Sequence, residues 1–380
     1  MSAQVYHAAQ LFSGTQLLDD VHLFVEDGVV TALRHDAAGL EPAERGAVIG
    51  LSGLIAPGFI DVQVNGAAER LFNAQPDLLT LQTMLTTHQR FGTTAMLPTL
   101  ISDRFEIMQR AADAVAEGIR AGLPGLIGVH FEGPHLARPK RGIHPTECLR
   151  GLTEQELDLY ARADIGQVVV TVAPENVGVD VIGELVRRGV IVCLGHSEAD
   201  LELVEAALAA GATGFTHLFN AMSGLQGRTP GLVGAALSHR ESYAGLIADL
   251  HHVHPRNCEL AVRIKGVDRI MLVTDAMHHV GSDAQTLNYF DTVIYRDGDK
   301  LTLADGALAG SALDMASAVR NCCSRIGLEL ASALMMASRT PAAFLGRPDL
   351  GGLAVGQRAD FVQLGDQLRV QGTWVAGRKC

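Results

Sequence analysis

The sequence predicts an α/β chain, a (β/α)8 TIM-like barrel carrying a small β-sandwich domain built from both chain ends. Three observations lead there. Eight short apolar runs recur between residues 54 and 274. Amphipathic stretches with helical spacing separate several of these runs. The two chain ends read instead as short strands broken by turn signals. Strands that are nearly continuous in apolar residues are buried on both faces, as in a parallel barrel ringed by helices.

The N-terminal end, residues 1–53, places Leu23-Phe24-Val25 and Val29-Val30 on either side of Asp27-Gly28, a hairpin signal. At the other end, residues 350–380, Ala359-Asp360-Phe361-Val362-Gln363-Leu364 and Arg369-Val370-Gln371-Gly372-Thr373-Trp374-Val375 are strand-like. The two ends are expected to meet in one discontinuous β domain, with the barrel over 54–349 inserted between them. The barrel strands are expected at 54–64, 93–97, 126–131, 168–172, 190–194, 214–217, 245–249 and 270–274. Between the second and third, Phe105, Met108, Ala112, Val115 and Ile119 recur at steps of three and four, one face of a helix. Ser102 or Asp103 offers it an N-cap and Gly122 a stop. Ile182, Leu185 and Val186 mark another helix, and Leu201, Val204, Ala207 and Leu208 a third that Gly211 ends. Beyond the eighth strand, strand-like residues flank Asp297-Gly298 between 289 and 303, so a hairpin is expected there.

The chain has 380 residues, 48% apolar and 19% charged, which favours a large buried core over extended disorder. Its net charge of −12 argues against a nucleic-acid or acidic-membrane partner, though a small anionic substrate needs only a local positive pocket. No apolar run approaches the roughly 20 residues that span a bilayer. Residues 1–10 lack the basic and apolar pattern of a secretory signal. Six cysteines without paired spacing suit a reducing cytoplasm, and Cys193, inside an apolar run, reads as a small core residue.

The chemistry gathers at strand ends. Glu132, His196 and His217 each follow an apolar run, in His130-Phe131-Glu132-Gly133-Pro134-His135, Leu194-Gly195-His196-Ser197 and Thr216-His217-Leu218-Phe219. Asp275 closes a fourth run, Met271-Leu272-Val273-Thr274-Asp275. In parallel barrels the active site lies at the carboxyl ends of the strands. One such histidine alone is ordinarily a core or surface side chain, but four polar residues at one end of a barrel point to a site. Two imidazoles and a carboxylate are a catalytic zinc-type donor set with one position open for water. That water, made acidic by the ion, is the expected nucleophile, and Asp275 can accept its proton and pass it to a leaving nitrogen. His130 and His135 read as supporting or structural. Among His251, His252 and His254, which crowd one loop, one is expected to donate to substrate, and His278 and His279 are expected to face solvent.

These motifs, with Pro57-Gly58-Phe59-Ile60-Asp61-Val62-Gln63-Val64-Asn65-Gly66, Asn220-Ala221-Met222, Val273-Thr274-Asp275-Ala276 and Leu308-Ala309-Gly310-Ser311, occur in order over essentially the whole chain. The chain thereby resembles the N-acetylglucosamine-6-phosphate deacetylase family of the amidohydrolase superfamily. The resemblance implies a metal-dependent barrel that hydrolyses the acetamide of N-acetylglucosamine-6-phosphate to glucosamine-6-phosphate and acetate, in amino-sugar catabolism or cell-wall recycling. Many amidohydrolases carry His-x-His at the end of the first strand, where this chain has Gln63 and Asn65. Amides are poor ligands for divalent ions, so one ion per subunit is expected, zinc first, with iron, manganese or cobalt as alternatives. Gln63 and Asn65 are then expected to shape the site by hydrogen bonds.

The resemblance also assigns roles by matching position. His144, in Arg141-Gly142-Ile143-His144, binds the sugar and polarises the acetamide carbonyl, making it catalytic alongside Asp275. Gly142, Asn220, Ala221 and His252 contact substrate, and Leu308, Ala309 and Gly310 belong to a loop that closes over it. Arg228 matches an arginine that holds the phosphate in the neighbouring subunit's site, which implies a homodimer. A guanidinium fork suits phosphate oxygens better than an ammonium does. Two rival readings stand beside this one. The first is an amidohydrolase that deacetylates a different N-acetyl hexosamine phosphate or an N-acyl amino acid. The second is a non-catalytic barrel scaffold, which would be expected to have lost one of the four central residues.

Overall fold

The computed structural model describes residues 4–35 and 48–380; residues 1–3 and 36–47, which the sequence assigns to the small β domain, lie outside the described residues. From the N-terminal end come β1 (Gln4–Phe12), β2 (Leu17–Glu26), β3 (Val29–Arg34) and β4 (Val48–Pro57). The Asp27-Gly28 turn joins β2 to β3 as the hairpin signal requires, with Gly28 in the left-handed region at φ 82°. The C-terminal end supplies β18 (Phe361–Leu364), β19 (Val370–Val375) and β20 (Arg378–Lys379). Together they form one mixed seven-stranded sheet in the order β20-β19-β18-β4-β1-β2-β3. The two ends meet where β18 runs antiparallel to β4, Phe361 opposite Pro57. Phe361 stacks on Trp374 at 4.7 Å with Tyr6 edge-on, a small aromatic core of its own.

The barrel strands are β5 (Phe59–Val64), β8 (Thr93–Ile101), β9 (Gly128–Glu132), β10 (Gln167–Val172), β11 (Ile191–Leu194), β12 (Gly214–Phe215), β13 (Tyr243–Ile247) and β14 (Ile270–Val273). Each is hydrogen-bonded to the next in parallel, in that order. A two-residue pair, β6 (Gly66–Ala67) with β7 (Arg70–Leu71), follows β5. Every residue of β5, β8 and β9 is buried, which is why these runs lack polar alternation. Fully burying a side chain such as Phe131 or Phe215 contributes about 1.5–3 kcal/mol. First and last strands close at their carboxyl ends, where Asp275 N–H donates to Gln63 O (3.0 Å) and Asn65 N–H to Ala276 O (2.8 Å).

The apolar run 54–64 is divided between the two sheets. Pro57 has no N–H to continue a ladder, and Gly58, whose N–H donates to Asp360 O (2.9 Å), passes so near Thr94 that a Cβ there would clash. The helix Phe105–Arg120 buries Met108, Ala112 and Val115 as its spacing requires. Neither Ser102 nor Asp103 caps it, however. Arg104 is the N-cap and offers no side-chain bond, because Ser102 and Asp103 are engaged elsewhere. The other two helices stand at Val179–Arg187 and Leu201–Ala209. The expected hairpin is a three-stranded antiparallel sheet, β15 (Thr286–Tyr289), β16 (Thr292–Asp297) and β17 (Lys300–Thr302). No helix among the described residues is long and apolar enough to cross a membrane.

Candidate active site

Glu132 is the last residue of β9, and His196, His217 and Asp275 stand two residues beyond β11, β12 and β14. His196 Nε2 lies 2.9 Å from His217 Nε2 and 3.1 Å from Glu132 Oε1, and His217 Nε2 lies 2.9 Å from the same oxygen. An ion bound at about 2.0–2.1 Å in tetrahedral geometry separates its ligands by about 3.3 Å. The observed triangle is within a few tenths of that, so these donors fit a divalent ion. His196 Nδ1 donates to Lys140 O (2.7 Å), which fixes the ring with Nε2 turned to the centre. Burial works to raise the Glu132 carboxyl, but hydrogen bonds from His196 and His217 outweigh it and hold the group well below the usual range, as an anionic ligand. No other group of three histidine, cysteine or acidic donors converges in this way among the described residues.

The backbone is bent to make this possible. His196, His217 and Asp275 have φ of 49°, 31° and 51°, in the left-handed region that side-chain-bearing residues seldom enter. Such residues cost of order 1–3 kcal/mol each and persist where surrounding structure holds them. Around Asp275 that structure is visible: Ser311 N–H donates to Asp275 O (2.9 Å) and Ser311 Oγ to Thr274 O (2.5 Å). Gly310, at φ 59°, passes so close that a Cβ would lie 2.6 Å from Met277 Cγ.

Asp275 is buried, and its Oδ1 accepts from Asn65 Nδ2 (2.7 Å) and Gln63 Nε2 (3.3 Å). Burial first, then the Glu132 charge, raises its carboxyl to about 6, a value suited to taking and giving a proton near neutrality. His144 is also buried. Its Nδ1 accepts from Ser102 N–H (3.2 Å) and Ser102 Oγ (2.8 Å). Burial, reinforced by His196, lowers the ring to about 3, so it is neutral. A neutral ring that accepts at Nδ1 carries its proton on Nε2 and offers a donor there. His252 Nδ1 pairs with the buried Asp249 Oδ2 at 2.6 Å, and burial of Asp249 is outweighed by that bond and by the His251 and His252 N–H groups.

These residues surround a cavity of about 190 Å3. Gly142, His144, Asn220, Ala221, His252, Leu308 and Gly310 line it together with the three donors, Asn65 and Asp275. Ile101, Ile143 and Met277 add an apolar wall. Ala309 does not line it and packs instead with Met277, Tyr289 and Leu301. Arg228 is exposed on the turn before the helix Gly231–Ser238 and is not brought to the cavity of its own chain. A larger depression of about 750 Å3, between Ser13–Leu18 and Arg339–Gln357, shares no residue with this cavity.

Two expectations about histidines are settled by packing. His130 bridges Val62 O (3.0 Å) and Thr171 Oγ1 (2.7 Å), and His135 contacts Arg150 O (3.2 Å) and Tyr160 Oη (3.0 Å), both in supporting roles. His278 and His279, expected to face solvent, are buried (2% and 0% exposed). The segment lies under β15 and β16, with His278 Nε2 against Asn288 O (3.0 Å). Ser102, Asp249 and Ser311 were not picked out as site residues. Asp249 had a local signal, an aspartate three residues before a histidine; Ser102 is 42 residues from the ring it holds and had none.

A family model described as the amidohydrolase family matches residues 54–380. The chain belongs to the amidohydrolase family. The amidohydrolase is 48% identical over 369 residues to an N-acetylgalactosamine-6-phosphate deacetylase of Shewanella sp. (strain ANA-3), covering 97% of this chain and 94% of the relative. It is 36% identical over 392 residues to an N-acetylglucosamine-6-phosphate deacetylase of Vibrio furnissii, covering 99% and 94%. Among solved structures, a variant N-acetyl-D-glucosamine-6-phosphate deacetylase of Mycobacterium smegmatis in complex with N-acetyl-D-glucosamine-6-phosphate superposes with a TM-score of 0.92 at 30% identity, covering 100% of this amidohydrolase and 99% of that chain.

Proposed function

We propose that this amidohydrolase removes the acetyl group of an N-acetylhexosamine 6-phosphate, with N-acetylgalactosamine-6-phosphate as the preferred epimer. The observation that carries the chemistry is the Glu132–His196–His217 triangle beside Asp275 in one buried cavity. The 48% identity to the galactosamine enzyme, against 36% to a glucosamine enzyme, favours the galacto epimer over the gluco epimer that the motifs suggested. One divalent ion per subunit is proposed, zinc first, because the second position offers only Gln63 and Asn65, and both already bond to Asp275.

An ion held by Glu132, His196 and His217 supplies Lewis acidity and a nucleophilic water near neutral pH. The His144 Nε2–H donates to the acetamide oxygen as it gains negative charge, a bond that strengthens in the transition state. Asp275 takes the proton released as water adds and returns it to the nitrogen, since an unprotonated amine leaves poorly. The C–N bond then breaks to give acetate and the hexosamine 6-phosphate. His252, oriented by Asp249, with Gly142, Asn220, Ala221, Leu308 and Gly310 holds the sugar, and Ala309 supports the Leu308–Gly310 loop from behind. Arg228 is assigned to the phosphate in a partner subunit's site within a homodimer; its exposed place outside its own cavity supports that reading. Six free thiols support a cytoplasmic setting.

The test is acetate release from both epimeric phosphates and their unphosphorylated forms by wild type and Asp275→Asn. Asparagine tolerates the left-handed backbone at 275, so the variant removes the carboxylate and keeps the turn. Turnover is expected on the phosphates, with the galacto form ahead, and a fall of at least about a hundredfold in the variant. Undiminished turnover by Asp275→Asn would refute the shuttle, and a preference for the gluco epimer would refute the ranking.

A further inference from the structure

The amide of Asn65 has two ends, and only one is used within the protein. Its Nδ2 donates to Asp275 Oδ1 at 2.7 Å. Its Oδ1 is buried and has no hydrogen-bond partner, in a residue that is 2% exposed and lines the cavity. A buried acceptor left unpaired costs about 1–3 kcal/mol, so such an atom in a ligand cavity calls for a donor from the ligand. The reverse orientation of the amide would set two acceptors against each other at 2.7 Å, so the carboxylate fixes which end of the amide is left unpaired. The backbone is fixed as well: Asn65 N–H donates to Ala276 O (2.8 Å), and Asn65 O accepts from Phe72 N–H (2.9 Å). The backbone that carries this side chain therefore cannot withdraw without opening the seam between β5 and β14.

Asn65 Oδ1 lies one amide width from the nitrogen that binds Asp275. A substrate group that exchanges a proton with Asp275 comes to the carboxylate that the other end of this amide holds. That group is the scissile nitrogen, which bears an N–H in the amide and gains a further proton as it leaves. We propose that Asn65 Oδ1 accepts the N–H of the scissile amide and so recognises an amide in preference to an ester. The proposal rests on the deacetylase reading above. Gln63 makes a natural control. It also donates to Asp275 Oδ1 (3.3 Å) but does not line the cavity, so it can position the carboxylate without touching substrate.

The experiment compares kcat/KM on an N-acetylhexosamine 6-phosphate with that on its 2-O-acetyl hexose 6-phosphate analogue, which replaces N–H by oxygen. Wild type, Asn65→Ala, Asn65→Ser and Gln63→Ala are assayed, with metal content and thermal unfolding recorded for each. Asn65→Ser serves if the alanine variant does not fold. Loss of a hydrogen bond to a group gaining positive charge is expected to lower amide turnover by about 10- to 100-fold beyond any loss on the ester. Gln63→Ala is expected to lower both in parallel. Parallel losses in the Asn65 variants would reduce Asn65 to a positioning residue for Asp275 and overturn the contact. Unchanged turnover on both substrates would overturn it too. A wild-type enzyme that releases acetate from the ester and from no hexosamine phosphate would instead defeat the deacetylase reading, and the contact with it.

Discussion

Ser102 and His144 form a unit whose worth can be measured. The Ser102 side chain donates to His144 Nδ1 at 2.8 Å and its backbone N–H donates to the same atom at 3.2 Å, so the serine selects the tautomer with a proton on Nε2. Removing the hydroxyl with Ser102→Ala leaves the backbone donor in place. The loss should then be that of one neutral hydrogen bond, about 0.5–1.5 kcal/mol, or about 2- to 13-fold in kcat. Removing the ring with His144→Ala takes away the proposed transition-state donor, a loss typically of about 100- to 1000-fold in kcat. The two changes act through one atom, so they cannot add: in the His144→Ala background, Ser102→Ala should cost nothing measurable. The assay is kcat for the four members of this cycle on a saturating N-acetylhexosamine 6-phosphate. A Ser102→Ala penalty that survives the loss of His144 would refute the tautomer argument, and so would a penalty as large as that of His144→Ala itself.

Three further outcomes are expected. Chelation should lower the thermal stability of the wild type and leave Glu132→Gln unchanged. An ion at a hundredfold excess over its Kd contributes about 2.7 kcal/mol, and metal analysis should find near one ion per wild-type chain, two per chain being the contrary result. Asp249→Ala should raise KM about 10- to 100-fold with a smaller change in kcat, because the charge-assisted bond that orients His252 is lost; a pure kcat effect would contradict it. Asp61, fully buried between Gln63 N–H, Thr274 N–H and Thr274 Oγ1, is raised by burial from 3.8 to about 7. Between those values the folded chain keeps a proton that the unfolded chain has lost. Its contribution is present in full below about pH 4 and is lost as the pH rises through about 7. Urea unfolding at pH 5 and pH 8 should therefore show Asp61→Asn gaining on wild type by about 2–3 kcal/mol between these two pH values, and parallel curves would dismiss the effect.

What the sequence determined by itself is what depends on neighbouring residues. Apolar runs long enough for strands, helical spacing from Phe105 to Ile119 and the Asp27-Gly28 turn are local signals, and each element formed. Because a strand hands the chain to the site at its carboxyl end, the positions of Glu132, His196, His217 and Asp275 after those runs were also legible. Contacts between distant segments were not. Ser102 reads as a helix cap until β8 brings it to His144. His278 and His279 read as exposed until β15 and β16 cover them. The run 54–64 reads as one strand until Pro57 and Gly58 divide it between two sheets. The left-handed turns at His196, His217 and Asp275 are imposed by what surrounds them, since none of these residue types asks for that conformation strongly. Patterns of burial repeat every two or 3.6 residues and are written along the chain. Partners 42 to 210 residues apart are chosen only when barrel closure sets their strands side by side, and that closure decided which side chains meet at the cavity.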